Sequence, residues 1–450
     1  MTELHAYLQQ HQMNKVKFAF ADLDGVLRGK FISLQKLEDT LTHGCGFCDV
    51  VFGWDSSDRL YENADTVTGW HTGFPDQICH IDLQTFRPIP WQQGIPFLLA
   101  DFSQSPAGEA ACPRSLLKRI IAKATGLGYT PRFAQEFEWF NFNETPASLQ
   151  EKNFTDLQPL TPGMFGYSIL RTSQQFDFVQ TLFDELTDFN IPIEGLHTET
   201  GPGVYEAAIA HDTTLVAADK AVMFKTAVKE LASRFGITAS FMAKWNLQLP
   251  GCSGHVHQSF WDEKQTVNLF ADASQPHGMS QLMQHYIAGQ LYCLPHIMPM
   301  YAPTINSYKR LVTGAWAPTT VSWGFENRTT AIRVINPYAK ATRVEMRVPG
   351  ADSNPYLAIA ASLASGLYGI QNKLALELPA TVGNAYAQSD LQQLPYTLEM
   401  AAVAMQQSEL AKEILGEKFV QHFTQTRLHE CRQQDESDAN WELKRYFEII

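Results

Sequence analysis

Along three stretches of this chain, charged and polar residues fall where a half-buried strand would place apolar ones. His255, His257 and Ser259 alternate with Val256, Gln258 and Phe260, and Arg343, Glu345 and Arg347 alternate with Val344, Met346 and Val348. Upstream, Glu136 and Glu138 alternate with Phe137 and Trp139. Successive side chains of an extended segment point to opposite faces, so each polar set shares one face. Burying such a face is costly unless metals, phosphates or counter-charges occupy it. The pattern therefore predicts the lining of a cavity for metals and polyanions.

The remaining pattern predicts the frame around that cavity. Residues 16–31 read as two strands about Asp24-Gly25, a dipeptide that supplies the positive φ angles of a tight hairpin. Residues 40–110 are rich in Gly, Pro, Asp and aromatics, as in a small β-rich domain with long loops. From Pro113 the texture changes. Leu116, Leu117, Ile120 and Ile121 stand at helical spacing before Gly126 and Gly128. Strands over 131–140 and 193–199 and a strand or loop over 203–210 follow, with a strand pair within 238–260 and further strands near 328–334 and 342–348. Helices are predicted over 173–189, 214–235, 278–295 and from Pro355 to Gly369. Strands interleaved with helices predict an α/β catalytic domain with its site at strand ends, here residues 109–450, after an N-terminal domain of residues 1–108.

A chain of 450 residues with 45% hydrophobic and 18% charged residues has the composition of a globular protein large enough for two domains. The formal charge of −13 argues against a nucleic-acid surface, which needs clustered Lys and Arg. No apolar run approaches the ~20 residues of a membrane span, and the expectation is a cytoplasmic protein that engages neither membrane nor nucleic acid. Cys45 and Cys48 form a C-x-x-C without a second pair among the seven cysteines. That spacing fits two buried thiols better than a zinc or redox motif.

The carboxylates stand in pairs: Glu136 with Glu138, then Glu199 and Glu206 across Gly201-Pro202-Gly203, on strands that the turn would bring face to face. With Glu345 and His255 they supply donors for two or more hard cations, Mg²⁺ or Mn²⁺ rather than Zn²⁺. Lys309, Arg310, Arg328, Arg333, Arg343 and Arg347 supply the opposite charge. Some of these must pair with the carboxylates, yet guanidinium groups also suit bidentate clamping of carboxylate and phosphate. Metals and arginines about one cavity fit phosphoryl transfer.

The order of these motifs carries a resemblance. Gln135 to Phe140, Glu199 to Glu206, Ser253 to Ser259, Asn306 to Leu311, Glu326 to Arg328, Arg343 to Arg347 and Asn354 to Leu357 follow one another as in the glutamine synthetase superfamily. The resemblance implies an α+β fold, with a small N-terminal β-grasp domain and a catalytic domain shaped as a funnel around an incomplete barrel. It implies rings of subunits, typically two stacked hexamers forming a dodecamer, with sites at subunit boundaries. Glu138, Glu199 and Glu206 resemble the ligands of a first metal, and Glu136, His255 and Glu345 those of a second, which bridges the phosphates of ATP. Arg310 and Arg347 resemble the holders of the amino-acid carboxylates. Arg328, Arg333 and Arg343, with His257 and Ser259, resemble the lining of the nucleotide and phosphoryl path. Asp55 is similar to an acidic residue that reaches into a neighbour's site. The implied reaction is phosphorylation of a γ-carboxylate by ATP, then attack of an amine on the acyl phosphate.

Two departures shift the expected substrates. Glutamine synthetases proper carry a Glu in a Gly-Tyr-Glu-Ala-Pro segment, where it helps bind and deprotonate ammonium; here Gly314-Ala315-Trp316-Ala317-Pro318 places an indole. The loop ending at Gly254, Gly251-Cys252-Ser253-Gly254, is shorter than usual and lacks an Asn, in a region that holds part of the glutamate. The expectation is a ligase joining a glutamate-like acyl donor to a small organic amine, as in γ-glutamylpolyamine and γ-glutamylmethylamide synthetases. True glutamine synthesis and a non-catalytic, lengsin-like assembly role remain the alternatives. Asp22 and Asp24 also imitate the first motif of haloacid dehalogenase phosphatases, but residues 26–110 lack the βαβ pattern which that fold requires.

Overall fold

The computed structural model describes residues 3–61, 66–435 and 437–450. Strands β1 (Lys15–Ala21), β2 (Leu27–Ser33), β3 (Cys45–Cys48), β4 (Asp76–Ile89) and β5 (Ile95–Asp101) form a five-stranded sheet in the order β2-β1-β5-β4-β3. Its one parallel pair is β1 with β5. The expected hairpin joins β1 to β2, with Gly25 at φ 80°. The Asp22 carboxylate accepts hydrogen bonds from the N–H groups of Asp24 (3.0 Å) and Val26 (2.9 Å) and pairs with Arg28 at 2.9 Å, so Asp22 locks the turn.

Strand alternation assigns the two faces of this sheet to different cores. Phe18, Phe20, Leu98 and Ala100 join Leu4, Leu37, Phe52 and Phe102 in a small core of their own. Ala19, Ala21, Phe97 and Leu99 point the other way, into the main core of the molecule. The seam is tied by Arg114, buried and bonded to Asp82 (2.8 Å), Asp101 (2.7 Å) and Asp219 (2.9 Å). Cys45 lies opposite Cys79 and both are buried; Cys48 is half-buried.

The second sheet has nine strands: β6 (Thr130–Phe142), β7 (Ile193–Thr198), β8 (Val204–Ile209), β9 (Asp212–Thr213), β10 (Thr238–Ser240), β11 (Gly254–Trp261), β12 (Trp323–Phe325), β13 (Ile332–Ile335) and β14 (Arg343–Met346). The main order is β12-β13-β14-β11-β6-β8-β7, with β9 and β10 also on β6, and the sheet curls into a half-barrel. Only β12 and β13 run parallel, so the interleaved helices do not produce the parallel sheet that strand–helix alternation often signals.

Apolar residues of the sheet, among them Phe137, Trp139 and Val256, pack with the helices Thr214–Ser233, Gln281–Ile297 and Pro355–Gln371. Pro355–Gln371 is apolar around nearly its whole circumference and lies at the centre. It approaches Gln281–Ile297 so closely that a Cβ at Gly366 would fall 2.0 Å from the Tyr286 ring. The helix predicted over 173–189 is split into Ile169–Gln174 and Phe176–Asp188. Four C-terminal helices (Leu398–Gln407, Glu409–Leu415, Glu417–Gln433 and Trp441–Tyr446) complete the domain.

Candidate active site

Strand register brings the predicted polar sets onto one face. His255 on β11 lies opposite Glu136 on β6, and Glu138 lies opposite Glu206 on β8. His257 lies opposite Glu345 on β14, which in turn faces Arg333 on β13. Directly opposed residues of antiparallel strands share a face, so these registers assemble one continuous polar row. Gly201-Pro202-Gly203 turns β7 into β8, with Gly201 and Gly203 at φ 143° and 70°, and sets Glu199 just outside the β7 ladder.

The contacts follow from the registers. His255 Nδ1 stands 2.8 Å from the Glu136 carboxylate and 3.3 Å from that of Glu345. His257 Nε2 lies 3.3 Å from the other Glu136 oxygen, and Arg343 Nε lies 3.2 Å from His257 Nδ1. Glu345 is buried between Arg333, at 2.9 Å, and Arg347. Arg333 also pairs with Glu326. Glu138 accepts the Ser253 N–H at 2.7 Å. Arg310 is buried, and its guanidinium donates to the carbonyls of Val348 (3.0 Å) and Arg347 (3.1 Å).

Burial and neighbouring charge set the protonation states. Burial, then the Glu206 charge, pushes Glu138 up to about 7, and burial also raises Glu206. Burial, then Arg347, brings His255 down to about 4. A neutral His255 whose Nδ1–H points at Glu136 presents a lone pair on Nε2, and that atom is buried without a protein partner. An imidazole oriented by a carboxylate through one nitrogen, with the other free, has the arrangement of a metal ligand.

Two groups of donors fit a cation. Glu136, His257 and Glu345 form one, and His197, Glu199 and Glu206 the other; within each, ligand atoms lie within 4.8 Å of one another. Oxygen-rich sets of this kind suit Mg²⁺ or Mn²⁺. His257 thus joins the set in which the resemblance named His255, and His197 joins the set in which it named Glu138. His197 escaped the sequence reading because it stands alone in an ordinary strand pattern. Tyr167, stacked on its ring at 4.3 Å between centroids, gave no signal either.

Two cavities flank this row, and Glu136 lines both. The first, about 390 Å³, is bounded by Glu138, Glu199, Glu206, His255, Arg310, Arg328, Arg333 and Arg347. Trp316 lies at its wall, 62% exposed and held at φ 56°, with its carbonyl accepting from Arg347 at 3.3 Å. The second, about 340 Å³, is bounded by His257, Ser259 and Arg343 together with Arg132, Tyr338 and Lys340. Gly254 lies in the sheet, where a Cβ would fall 2.7 Å from the Gly350 carbonyl; Gly251 and Ser253 line the first cavity instead. Asp55 lies outside both cavities of its own chain. It is buried, paired with Arg445 (2.7 Å) and His429 (3.4 Å), and accepts from the N–H groups of Ser57 and Arg59.

Residues 110–446 match the catalytic domain of glutamine synthetase. The chain belongs to the glutamine synthetase family. It is 52% identical to type-1 glutamine synthetase 2 of Dictyostelium discoideum over 97% of this chain and 84% of that one. It is 38% identical to the glutamate–isopropylamine ligase of a Pseudomonas species, covering 99% of this chain and 97% of the ligase. It is 36% identical to a γ-glutamylethanolamide synthetase of Streptomyces coelicolor, covering 99% and 95%. Among solved structures, a GmaS/ADP complex superposes with a TM-score of 0.83 at 27% identity, covering 99% of each chain.

Proposed function

We propose that this family member is an ATP-dependent ligase that activates the γ-carboxylate of glutamate as an acyl phosphate and joins it to an organic amine. The observation that carries this reading is Trp316. The segment Gly314–Pro318 brings an indole, and no carboxylate, to the wall of the cavity that contains Arg310 and Arg347. An indole offers an apolar surface and a π face to an alkylammonium, whereas ammonium has no carbon to bury.

In this reading Arg310 and Arg347 hold the carboxylates of the acyl donor, while Arg328 and Arg333 face the transferring phosphoryl group. His257, Ser259 and Arg343 line the nucleotide cavity. Glu138, Glu199, Glu206 and His197 hold one divalent cation, and Glu136, His255, His257 and Glu345 a second. Mg²⁺ or Mn²⁺ bound there would neutralise phosphate charge. The relatives named as an isopropylamine ligase and an ethanolamide synthetase support the organic amine. The relative named as a glutamine synthetase, at 52% identity, favours ammonia and sets the competing reading.

Self-association into rings, a dodecamer in the form the family resemblance implies, belongs to the same proposal. Met164, Phe165, Ile169, Leu170 and Phe176 are exposed in one run beside the cavity residue Tyr167, an apolar surface suited to a second copy. ADP release with glutamate and, in turn, ammonia, methylamine, isopropylamine, ethanolamine, putrescine and spermidine tests the ligase reading. Faster turnover with one of the organic amines than with ammonia is expected; ammonia as the best acceptor would overturn it.

A further inference from the structure

Near Arg310, outside the lining of its cavity, lies a carboxylate that no step of the proposed reaction uses. Asp352 follows β14 in the loop Pro349-Gly350-Ala351-Asp352 and is 1% exposed. One of its oxygens accepts hydrogen bonds from the hydroxyls of Thr304, at 2.7 Å, and Ser307. These two residues also bond each other reciprocally: the Thr304 N–H reaches the Ser307 hydroxyl and the Ser307 N–H reaches the Thr304 hydroxyl, each at 3.0 Å. Asp352 therefore closes the start of the short helix Ser307–Arg310, the element that carries Arg310.

The charges around Asp352 point the same way. Arg310 is 3% exposed and has no carboxylate in ion-pair contact among the described residues; its guanidinium bonds only to the carbonyls of Val348 and Arg347. The carboxylates that act on it at longer range are Glu138, on the cavity side, and Asp352. Lys225, buried on the helix Thr214–Ser233, is likewise acted on by Asp352 first among its counter-charges. The second Asp352 oxygen is buried with no hydrogen-bond partner. The loop packs against it: a Cβ at Gly350 would fall 2.3 Å from that oxygen, so a larger residue there would displace the Asp352 carboxylate. A buried guanidinium free of a tight ion pair keeps donor capacity for a substrate, but it needs charge compensation nearby.

We infer that Asp352 is a positioning residue that fixes the Thr304–Arg310 turn and supplies a counter-charge to Arg310, so that the guanidinium stays aimed at the acyl donor's carboxylate. This rests on Arg310 being that carboxylate's anchor. Asp352 acts on the affinity for the acyl donor through Arg310, and not on the nucleotide cavity, which lies beyond Glu136.

A double-mutant cycle on the full-length protein tests the inference. Asp352→Asn, Arg310→Lys and the double variant are assayed for ADP release with glutamate and the fastest amine, alongside circular dichroism. Thr304→Val and Ser307→Ala serve as milder variants should Asp352→Asn fold poorly. The expected result is a glutamate KM raised about tenfold or more in Asp352→Asn, an ATP KM within about twofold, and a double variant little worse than Arg310→Lys. Thr304→Val and Ser307→Ala should shift the glutamate KM in the same direction. Additive effects of Asp352→Asn and Arg310→Lys, or equal rises in both KM values, would overturn the positioning role. If Arg310→Lys leaves the glutamate KM unchanged, the anchor reading of Arg310 falls, and the inference with it. If Arg310→Lys raises KM while the Asp352, Thr304 and Ser307 variants do not, the anchor stands and only the inference falls.

Discussion

Glu136 and His255 face each other across the β6–β11 ladder with 2.8 Å between carboxylate and Nδ1, leaving His255 Nε2 buried and unpartnered. One carboxylate thereby orients a donor that the opposite strand supplies, at the point where the two cavities meet.

Divalent cation binding should be strongly pH-dependent. Burial and the Glu206 charge raise Glu138 to about 7, above its ordinary value of 4.5, and a protonated carboxyl is a poor ligand. Mg²⁺ or Mn²⁺ affinity by calorimetry should fall as pH drops through 7, by up to roughly tenfold per unit. The sign reverses for the metal-free protein. The folded state holds the Glu138 proton more tightly than the unfolded one, so this group weakens stability as pH rises from 4.5 to about 7. Added Mg²⁺ should raise Tm most at the upper end of that window, and Glu138→Gln should flatten both profiles.

Two buried histidines should oppose the stabilising effect of acid on Glu138. His422 is fully buried, its Nδ1 accepting the Val67 N–H at 3.2 Å, and burial, with Arg427 assisting, lowers it to about 3. His255 is lowered to about 4. Each binds a proton in the unfolded chain near 6.5 but not in the folded one, so stability is lost as pH falls from 6.5 towards 4. Each group contributes at most about 1.4 kcal/mol per pH unit there. Urea melts across this range should show a shallower slope in His422→Gln than in the parent protein.

Much of this arrangement was legible in the sequence because strand alternation writes a shared face into the chain. Glu136/Glu138, His255/His257 and Arg343/Glu345/Arg347 were readable as polar faces, and the β6–β11–β14 registers join them. His197 was not readable, since its membership depends on the β7–β8 register and on Glu199 lying beyond the ladder. The C-terminal helices were missed for a related reason. Glu417–Gln433 buries polar residues such as His422 and Arg427 whose partners, Val67 and Asp24, come from distant segments. Asp55 shows the limit most clearly: its principal partner, Arg445, stands 390 positions away.

The Asp55–Arg445 pair should be a stability element. Both side chains are buried, and Arg445 also holds Glu430 at 2.6 Å. Arg445→Ala strands two buried carboxylates and should cost roughly 3–5 kcal/mol, read as a lower urea midpoint. Asp55→Asn should destabilise as well. If it instead leaves stability unchanged while abolishing turnover, Asp55 acts in a neighbour's site and not as an anchor.

The oligomer should be ring-sized. Light scattering is expected to give a mass near twelve chains in the form the family resemblance implies, and Ile169→Glu with Phe176→Glu should shift it downward. A stable, active monomer would contradict the ring.

Removing the indole should redirect the acceptor. Trp316→Glu places a carboxylate at the cavity wall, where the 62% exposure of the position limits a charged partner for a small cation to about 1 kcal/mol, roughly fivefold in kcat/KM. Ammonia use should rise relative to amine use in this variant, as judged from initial rates. Trp316→Ala should weaken the organic amine without improving ammonia.

Direct competition tests the central claim. The unmutated protein, with glutamate, ATP and Mg²⁺, is given ammonium and the fastest organic amine together at equal concentrations, and the two amide products are quantified by mass spectrometry. A γ-glutamylamide of the organic amine in excess over glutamine, by roughly tenfold or more, is the predicted outcome. Glutamine in equal or greater amount would contradict the account and return the chain to ammonia chemistry.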